Sequence, residues 1–366
     1  MINNNSELLA KFSCGNYGDD VPVYIGTNNI ALLPQYLEGV EFDKLLIITD
    51  STVENLYSDL ILSACEKLNK PVNLVSFPAG EHNKTFKVFE GLCEQTIKLA
   101  TRDTLIVAFG GGVAGNIAGF VAASIFRGIK FIHVPTTLIA QADSTLGIKQ
   151  AINTSLGKNT VGAYYRPLMV INDLSLLETL SIREIECGLA ESLKLGLSFS
   201  PELVKNMSEA IQPGVMPAKN VLKDIVKQNI LLKTRILNQD PVERSFGLRL
   251  ELGHTVGHAI ERILDGEWTH GEAIGLGMRI EAELALSLGY TDNKTVQFIN
   301  DSLNLVRSPN QIPSSVSIED IALNISLDNK RNSDGVRFIL PKVLGESQIV
   351  SGIPEDNIIS ALRCFR

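Results

Sequence analysis

Three of the five histidines in this chain fall in one short segment, where they could bind a metal ion. His254 and His258 are four residues apart in GHTVGHAIE, so on a helix both side chains lie on one face. His270 opens the next helical pattern, THGEAIG. Two histidines and one carboxylate form a common catalytic metal site, and Glu191 in GLAESLKLG is the candidate carboxylate. The spacing leaves open which two histidines bind, and a structural role for each histidine is the alternative.

A second candidate site lies where an apolar, strand-like run, TLIVAF, is followed by GGGVAGNIAGF. Glycines let a backbone approach a pyrophosphate closely, and the next helix presents free N–H groups and its positive dipole end. The spacing differs from G-x-G-x-x-G, so a tight packing turn is the alternative. Polar residues at the ends of other predicted strands, where open parallel sheets bind ligands, favour a nucleotide: Asp50, Glu81, Lys84, Thr136 and Thr137.

Cationic and polar side chains are concentrated in DSTLGIKQAINTSLGKN, which spans residues 143–159. Lys194 follows Glu191 by three residues, so the two side chains can meet on one face of a helix. Several cations near a nucleotide and a metal suit a phosphorylated substrate, whereas solvated surface lysines are the alternative. The residues singled out are Asp143, Lys149, Lys158 and Asn159, with Arg127 just upstream.

Alternating strand-like and helix-like stretches fill the first half of the chain. The strand-like runs are KLLIITD (44–50), PVNLVSF (71–77), DTLIVAFGGG and KFIHVPTT (130–137). This alternation predicts a mostly parallel sheet wrapped by helices. From about Ser181 to Leu288, apolar residues recur at three- and four-residue spacing, which predicts long amphipathic helices. We therefore expect an α/β domain over residues 1–178 and a helical domain over residues 179–366.

Composition excludes several classes of protein. The chain has 33 Lys and Arg against 41 Asp and Glu, without a long basic run, so we expect no nucleic-acid partner. Residues 104–126 carry no charge, but their glycines favour a strand, a turn and a helix over a membrane span. Five scattered cysteines and the absence of a signal-peptide pattern in MINNNSELLAKF favour a cytoplasmic protein without a membrane partner.

Several motifs in order resemble the sugar-phosphate cyclases of the dehydroquinate synthase superfamily. The resemblance covers about residues 40 to 290, with a weaker match at RFILPKVLG (337–345). It implies a Rossmann-like NAD-binding α/β domain, an all-α metal-binding domain, and a homodimer with its site in the cleft between the domains. NAD and one divalent metal, cobalt or zinc, are the implied cofactors. The motifs are PAGEHNKT, GGGVAGNIAGF, FRGIKFIHVPTTLIAQADSTLGIKQAIN, LGKNTVGAYYRP, GLAESLK, LGHTVGHAIE and HGEAIGLGM.

The resemblance also implies roles for individual residues. The metal ligands would be Glu191, His254 and His270, which leaves His258 to contact the substrate. Lys330, Arg331 or Arg337 is a candidate for one more phosphate contact. The implied catalytic residues are Lys149, Glu251, Asp143, Lys194 and His258, and the implied substrate and phosphate contacts are Arg127 (reaching the neighbouring subunit's site), Lys158, Asn159 and Lys233. The implied NAD contacts are Asp50, Glu81, Lys84, Gly110, Gly111, Gly112, Val113, Gly115, Asn116, Thr136, Thr137 and Lys158.

Departures from the dehydroquinate synthase pattern indicate a branch of the family. GLRNLLNFGHT is replaced by GLRLELGHT, so Glu251 stands where an Asn is usual and the arginine that holds a substrate carboxylate is displaced by two residues. A carboxylate at Glu251 would repel a carboxylated substrate. With GIKQAIN and Asn116, this resembles the 2-deoxy-scyllo-inosose synthases, which act on glucose 6-phosphate. The valiolone-type cyclases, which usually lose the second histidine of this motif, fit less well because His258 is present.

The implied reaction is oxidation, phosphate elimination, reduction and intramolecular aldol closure, with Lys149 and Glu251 transferring protons. Its product would serve aminocyclitol antibiotic formation. Three alternatives stay open: a 3-dehydroquinate synthase of the shikimate pathway, a metal-dependent polyol or alcohol dehydrogenase, and a non-catalytic binding protein.

Overall fold

The computed structural model describes residues 6–155, 157–326 and 335–366. Lys330 and Arg331, two of the candidate phosphate contacts, lie outside the described residues. The chain divides into two compact units. We call the first the sheet unit (Met1–Ser155, Asn159–Leu180 and Lys233–Val242) and the second the helical unit (Leu156–Lys158, Ser181–Leu232 and Glu243–Arg366).

A seven-stranded sheet forms the centre of the sheet unit, in the order β1-β2-β9-β6-β5-β3-β4. Paired strands in it run parallel, except β1 with β2. Two further sheets have two strands each, β7 with β8 and β10 with β11. The strands are β1 (Glu7–Phe12), β2 (Val21–Gly26), β3 (Leu45–Asp50), β4 (Val72–Phe77), β5 (Leu105–Gly110), β6 (Phe131–Pro135), β7 (Lys149–Thr154), β8 (Gly157–Tyr164), β9 (Val170–Asp173), β10 (Phe338–Val343) and β11 (Glu346–Val350).

Helices separate the parallel strands and make up most of the helical unit. The helices are α1 (Leu33–Tyr36), α2 (Ser51–Glu66), α3 (Phe86–Leu99), α4 (Gly112–Ser124), α5 (Ile182–Phe199), α6 (Pro201–Ala210), α7 (Lys219–Leu237), α8 (His254–Leu264), α9 (His270–Ser287), α10 (Asn293–Asn304), α11 (Ile318–Ser326) and α12 (Glu355–Arg363). The predicted architecture, a parallel α/β sheet followed by a helical part, is confirmed.

The central strand β5 shows why its sequence has no polar alternation. Leu105, Val107 and Phe109 pack into one hydrophobic cluster, whereas Ile106 and Ala108 pack into another on the opposite face. A strand covered by helices on both faces is apolar throughout, as parallel strands usually are. The uncharged run therefore forms strand, glycine turn and helix α4 as predicted. None of the helices in the described ranges is long and apolar enough to cross a membrane.

One hairpin interrupts the helical unit, which the sequence predicts to be entirely α-helical. Strands β10 and β11 pair antiparallel, and Phe338 and Leu340 bury their side chains in the core formed with α8 and α9. Pro341 lies within β10, opposite Ser347. Proline lacks a backbone N–H and argues against a strand in a sequence pattern, which explains why the hairpin was missed.

Candidate active site

Helices of the helical unit bring Glu191, His254 and His270 together. Glu191 lies on α5, and the two histidines are the first residues of α8 and α9. Glu191 Oε1 is 3.6 Å from His254 Nε2 and 3.4 Å from His270 Nε2. A tetrahedral ion with bonds of about 2.1 Å would separate its ligand atoms by about 3.4 Å. Both distances from Glu191 Oε1 therefore match the spacing of ligands around one ion.

His258 lies beside these residues, so the structure brings all four candidates into one cluster. The imidazoles of His254, His258 and His270 offer nitrogens within 4.8 Å of one another and form a possible metal site by themselves. Glu191 Oε1 is buried and, among the described residues, accepts no hydrogen bond. A buried carboxylate oxygen with two imidazole nitrogens beside it fits a zinc or cobalt ion. The ligand set Glu191, His254 and His270 stays a prediction.

Close contacts of glycines let the three helices approach one another. A methyl group on Gly271, next to His270, would lie 2.5 Å from the backbone of Cys187 on α5. A methyl group on Gly253, next to His254, would lie 2.7 Å from the carbonyl oxygen of Ile274 on α9. Only a residue without Cβ permits these contacts. The glycines that flank the histidines in the sequence thus place the imidazoles beside Glu191.

A buried carboxylate from α9 caps the N-terminus of α8. Glu281, which is fully buried, accepts hydrogen bonds from the backbone N–H groups of Gly253 at 2.6 Å and Val256 at 3.3 Å. The N-cap residue Gly253 has no side chain to do this. A carboxylate at a helix N-terminus satisfies otherwise unpaired N–H groups and interacts favourably with the helix dipole. Glu281 therefore helps to hold the first turn of α8, which carries His254.

Ionisable groups of the cluster shift one another's pKa values in different directions. Burial alone would raise the pKa of Glu191, but its ion pair with Lys194, together with His254, holds that pKa well below its usual range. Burial would lower the pKa of His270, but Glu261 and Glu191 outweigh it and raise the pKa to about 10. The same two carboxylates create a negative potential at His270 that attracts a divalent cation, which would displace the proton on binding. Burial lowers the pKa of His254, which favours the neutral, ligating imidazole.

Lys158 and Glu261 meet within the helical unit. Lys158 Nζ is 2.6 Å from Glu261 Oε1, and Glu261 Oε2 is 3.2 Å from His270 Nδ1. Glu261 was missed as a site residue in the sequence. A usable signal was present, because positions 254, 258 and 261 follow the spacing of one helix face.

Arg249 and Glu251 lie in the helical turn Phe246–Glu251 that precedes α8. The Arg249 guanidinium lies 5.3 Å from the ring centre of Phe199 and 5.4 Å from that of Phe246. Its Nε donates to Ser347 Oγ at 3.3 Å. Glu251 is half-buried and close enough to His254 to favour its protonated form electrostatically. The turn thus holds an arginine in an aromatic contact and places a carboxylate near a candidate metal ligand.

In the sheet unit, the turn between β5 and α4 has the form expected of a phosphate-binding loop. Gly110 has φ of +152°, and a methyl group there would lie 2.6 Å from Ala114 Cβ. The N-cap residue Gly111 offers no side-chain cap to α4, so the first N–H groups of this helix suit an anion. A methyl group on Gly112 would lie 2.9 Å from Ser144 Oγ, a buried hydroxyl without a hydrogen-bond partner among the described residues. These features fit a dinucleotide phosphate.

Other predicted cofactor contacts form hydrogen bonds near this loop. Lys84 Nζ donates to Asn116 Oδ1 at 3.0 Å and also contacts Asn159 Oδ1. Glu81 Oε1 accepts from Asn153 Nδ2 at 2.7 Å.

Asp50 caps α2, because its Oδ1 accepts from the N–H groups of Thr52 at 2.9 Å and Val53 at 3.1 Å. A ribose hydroxyl would therefore bind the other oxygen, which faces Gly110. Thr136 is buried, and its N–H donates to the Gly110 carbonyl at 3.0 Å, whereas a methyl group on Gly111 would lie 3.1 Å from Thr137 Cγ2.

Asp143 and Lys233 form an ion pair within the sheet unit. Asp143 lies in a π-helical turn, Ala140–Ser144, and such turns are common at functional sites. Lys149 and Arg127 are exposed. Arg127 has φ of +70° and Phe126 has φ of +50°, which is unusual for residues with side chains.

Comparison with known proteins gives this arrangement a family. Models of the 3-dehydroquinate synthase N-terminal and C-terminal domains match residues 74–187 and 188–331. A 2-deoxy-scyllo-inosose synthase of Streptoalloteichus tenebrarius is 34% identical over 91% of this chain and 88% of its own length. A 3-dehydroquinate synthase of Caldanaerobacter subterraneus subsp. tengcongensis is 40% identical over 88% of this chain and 91% of its own.

A solved structure gives the same result for the fold. The crystal structure of 2-deoxy-scyllo-inosose synthase complexed with carbaglucose-6-phosphate, NAD+ and Co2+ has a TM-score of 0.89 at 31% identity, covering 98% of this chain and 99% of that one. The chain therefore belongs to the 3-dehydroquinate synthase family and is an enzyme of the sugar-phosphate cyclase class.

Proposed function

We propose that this enzyme is a 2-deoxy-scyllo-inosose synthase. It would convert glucose 6-phosphate into a carbocyclic ketone with release of phosphate, as a step of aminocyclitol antibiotic formation. The similar proteins include both 2-deoxy-scyllo-inosose synthases and 3-dehydroquinate synthases at comparable identity, so family membership does not decide between the two substrates. The decision depends on charges in the helical unit.

The turn before α8 carries the proposal. A substrate with a carboxylate needs a cation to bind it, and burying an unpaired carboxylate is costly. Arg249 is instead held between Phe199 and Phe246 and bonded to Ser347. Glu251 adds a negative charge close to His254. This turn suits the hydroxyl groups of a neutral sugar and disfavours a keto acid.

Both proposed cofactors fit the residues present. NAD would supply a hydride acceptor for a transient oxidation, and a zinc or cobalt ion would polarise hydroxyl and ketone oxygens. The glycine turn from Gly110, the N-terminus of α4 and the Lys84 network would hold the dinucleotide. Glu191, His254 and His270 would hold the ion. A similar protein was solved with NAD+ and Co2+ bound, which supports the choice of the two cofactors.

The polar residues around these sites take complementary roles. Lys149 and Glu251 are proposed to move protons, and Asp143 and His258 to contact the sugar. Lys194, which is buried, neutralises Glu191 beside the sugar. Cationic and amide groups bind the phosphate because they supply charge-assisted hydrogen bonds. The proposed phosphate contacts are Arg127, Lys158, Asn159 and Lys233.

We also propose a homodimer in which Arg127 reaches the neighbouring subunit's site. Its exposure and its left-handed backbone, shared with Phe126, support a constrained functional position.

Activity assays with two alternative substrates test the proposal. Purified protein with NAD and Co2+ is given glucose 6-phosphate or the seven-carbon keto acid phosphate that dehydroquinate synthases use. We expect phosphate release and a carbocyclic product with glucose 6-phosphate only, without net accumulation of NADH. Phosphate release with the keto acid alone would overturn the proposal and establish the second candidate, a 3-dehydroquinate synthase. Net NADH accumulation would indicate a dehydrogenase.

Two variants test which residue determines the preference for glucose 6-phosphate. Glu251→Gln should lose most phosphate release from glucose 6-phosphate, because a general acid–base residue typically contributes about 100-fold or more. Arg249→Met, in the same turn, should keep KM for glucose 6-phosphate within about twofold of the wild type, because Arg249 contacts Phe199, Phe246 and Ser347 and has no proposed contact with the sugar. The reverse pattern, with Arg249 essential and Glu251 dispensable, would contradict the proposed basis of specificity.

A further inference from the structure

Glu261 is a buried carboxylate with two partners on opposite oxygens, and the roles above leave it unused. It lies on α8 in the helical unit, and its side chain is 7% exposed. Oε2 is 3.2 Å from His270 Nδ1, and Oε1 is 2.6 Å from Lys158 Nζ. A buried anion with charged or hydrogen-bonded partners on both oxygens is held in one orientation.

The contact with His270 fixes which ring nitrogen can bind a metal. His270 has Nδ1 against Glu261 and Nε2 against Glu191, 3.4 Å from Oε1. A carboxylate that accepts from Nδ1–H leaves the lone pair on Nε2, which is the nitrogen that faces the candidate ion. The same contact restricts rotation of the ring. Glu261 thereby prepares both the tautomer and the direction of one ligand.

Lys158 completes the arrangement by balancing the charge of Glu261. Without Lys158, the carboxylate would have one oxygen unpaired in a largely buried position, a costly state for an anion. Lys158 is itself only 17% exposed, so the pair is mostly shielded from water. Lys158 thus has a contact in the helical unit as well as its proposed phosphate role.

We infer that Glu261 is a positioning residue for the metal ligand His270, and that Lys158 holds Glu261 in the orientation this requires. The inference depends on the metal site of the proposed function. It adds a residue outside the proposed metal ligands and sugar contacts that would raise the affinity for the ion by orienting His270.

Metal affinity tests the inference without any substrate. Protein stripped with a chelator is titrated with Co2+ against a competing indicator, and the visible absorption of bound Co2+ reports the ligand geometry. Glutamine has one acceptor oxygen, so Glu261→Gln can accept a hydrogen bond from His270 Nδ1–H or from Lys158 but not from both. We expect its dissociation constant for Co2+ to rise about 10- to 100-fold, with a changed absorption band.

Glu186→Gln is the matched control. Glu186 is another buried carboxylate of the helical unit, paired with Arg307 at 2.7 and 2.8 Å. Its replacement removes an ion pair of a buried carboxylate with a more exposed cation, and we expect Co2+ affinity and absorption as in the wild type. Equal losses in the two variants would show a general effect of destabilisation and would overturn the inference.

Further outcomes remain distinguishable. Wild-type affinity in folded Glu261→Gln overturns the inference, whereas a wild-type protein that binds no Co2+ overturns the metal site of the proposed function instead. If Glu261→Gln does not fold, Glu261→Asp keeps the charge but withdraws the carboxylate by one methylene. We then expect a several-fold lower Co2+ affinity, and unchanged affinity would contradict the role of Glu261.

Discussion

The two candidate binding regions of this enzyme use different chemical groups, backbone in one and ionisable side chains in the other. In the sheet unit, the region consists mainly of backbone: a glycine turn, the N-terminus of α4 and the ends of parallel strands. In the helical unit, the region consists of side chains that meet inside packed helices, with Glu191 and Glu261 both buried. The first region depends on glycines, because a Cβ atom at these positions would block the approach of the ligand. The second depends on which ionisable groups are present.

This difference predicts how each region responds to substitution. Almost any residue supplies a backbone N–H group. A binding site made of backbone therefore loses affinity when an added side chain blocks the approach of the ligand. A cluster of buried ionisable side chains loses stability when one of them is removed, because the remaining charge is then buried without its partner. Three predictions test this contrast.

The largest effect is expected from removing Glu191. Glu191→Ala should weaken Co2+ binding more than about 100-fold, above the loss typical for a residue that only supports a ligand. It should also lower the free energy of unfolding by about 3–5 kcal/mol, because Lys194 is left buried without its partner. Chelator competition and chemical denaturation measure the two effects.

Two further proteins separate these effects. Adding Lys194→Met to Glu191→Ala should recover stability but not metal binding, and His82→Ala, at an exposed histidine, should change neither. Metal binding that survives in Glu191→Ala would mean that His254, His258 and His270 suffice, and the predicted ligand set would be wrong.

An intermediate effect is expected from adding one methyl group at Gly110. Gly110→Ala places Cβ 2.6 Å from Ala114 Cβ at φ of +152°. We expect the dissociation constant for NAD to rise at least about tenfold, which equals about 1.4 kcal/mol. Co2+ affinity should not change.

Gly39→Ala is the control for backbone strain, because Gly39 also has positive φ, +79°, but a methyl group there meets nothing within 4 Å. Isothermal titration with NAD measures both variants. Equal NAD affinity in Gly110→Ala and the wild type would contradict the backbone description of this region.

The smallest effect is a pH dependence of the stability of the metal-free protein. Burial would lower the pKa of His270, but Glu261 and Glu191 raise it to about 10, above the ordinary value of 6.5. The stability that this proton contributes is complete below pH 6.5 and is lost as the pH rises towards 10. Melting temperature in chelator should therefore decline across this range, more than in Co2+-loaded protein. Parallel declines with and without Co2+ would contradict this origin.

The sequence was most informative where one physical pattern dominates. The apolar runs predicted β3, β5 and β6, because strands buried on both faces are mostly apolar, and they also predicted the half-buried edge strand β4. The helical spacing of His254 and His258 placed both on one face of α8, although it did not identify the nitrogen that faces an ion.

Other features depend on tertiary packing and could not be read from local pattern. Ser144, the last residue of the π-helical turn, lies close to Gly112, and this turn has no clear sequence signal. Glu281 lies within the long helix α9, where a buried acid would usually be judged unfavourable. Two of its partners, the N–H groups of Gly253 and Val256, lie at the start of the preceding helix, 28 and 25 residues earlier in the sequence.

The cap formed by Glu281 has a consequence for how the helical unit opens. The amides of Gly253 and Val256 are bonded to a side chain of α9 rather than to water, so the first turn of α8 cannot fray while α9 stays in place. His270 begins that same helix. In native-state hydrogen exchange, these amides should share one opening free energy with α9, and the two histidines should leave the cluster in a single cooperative event.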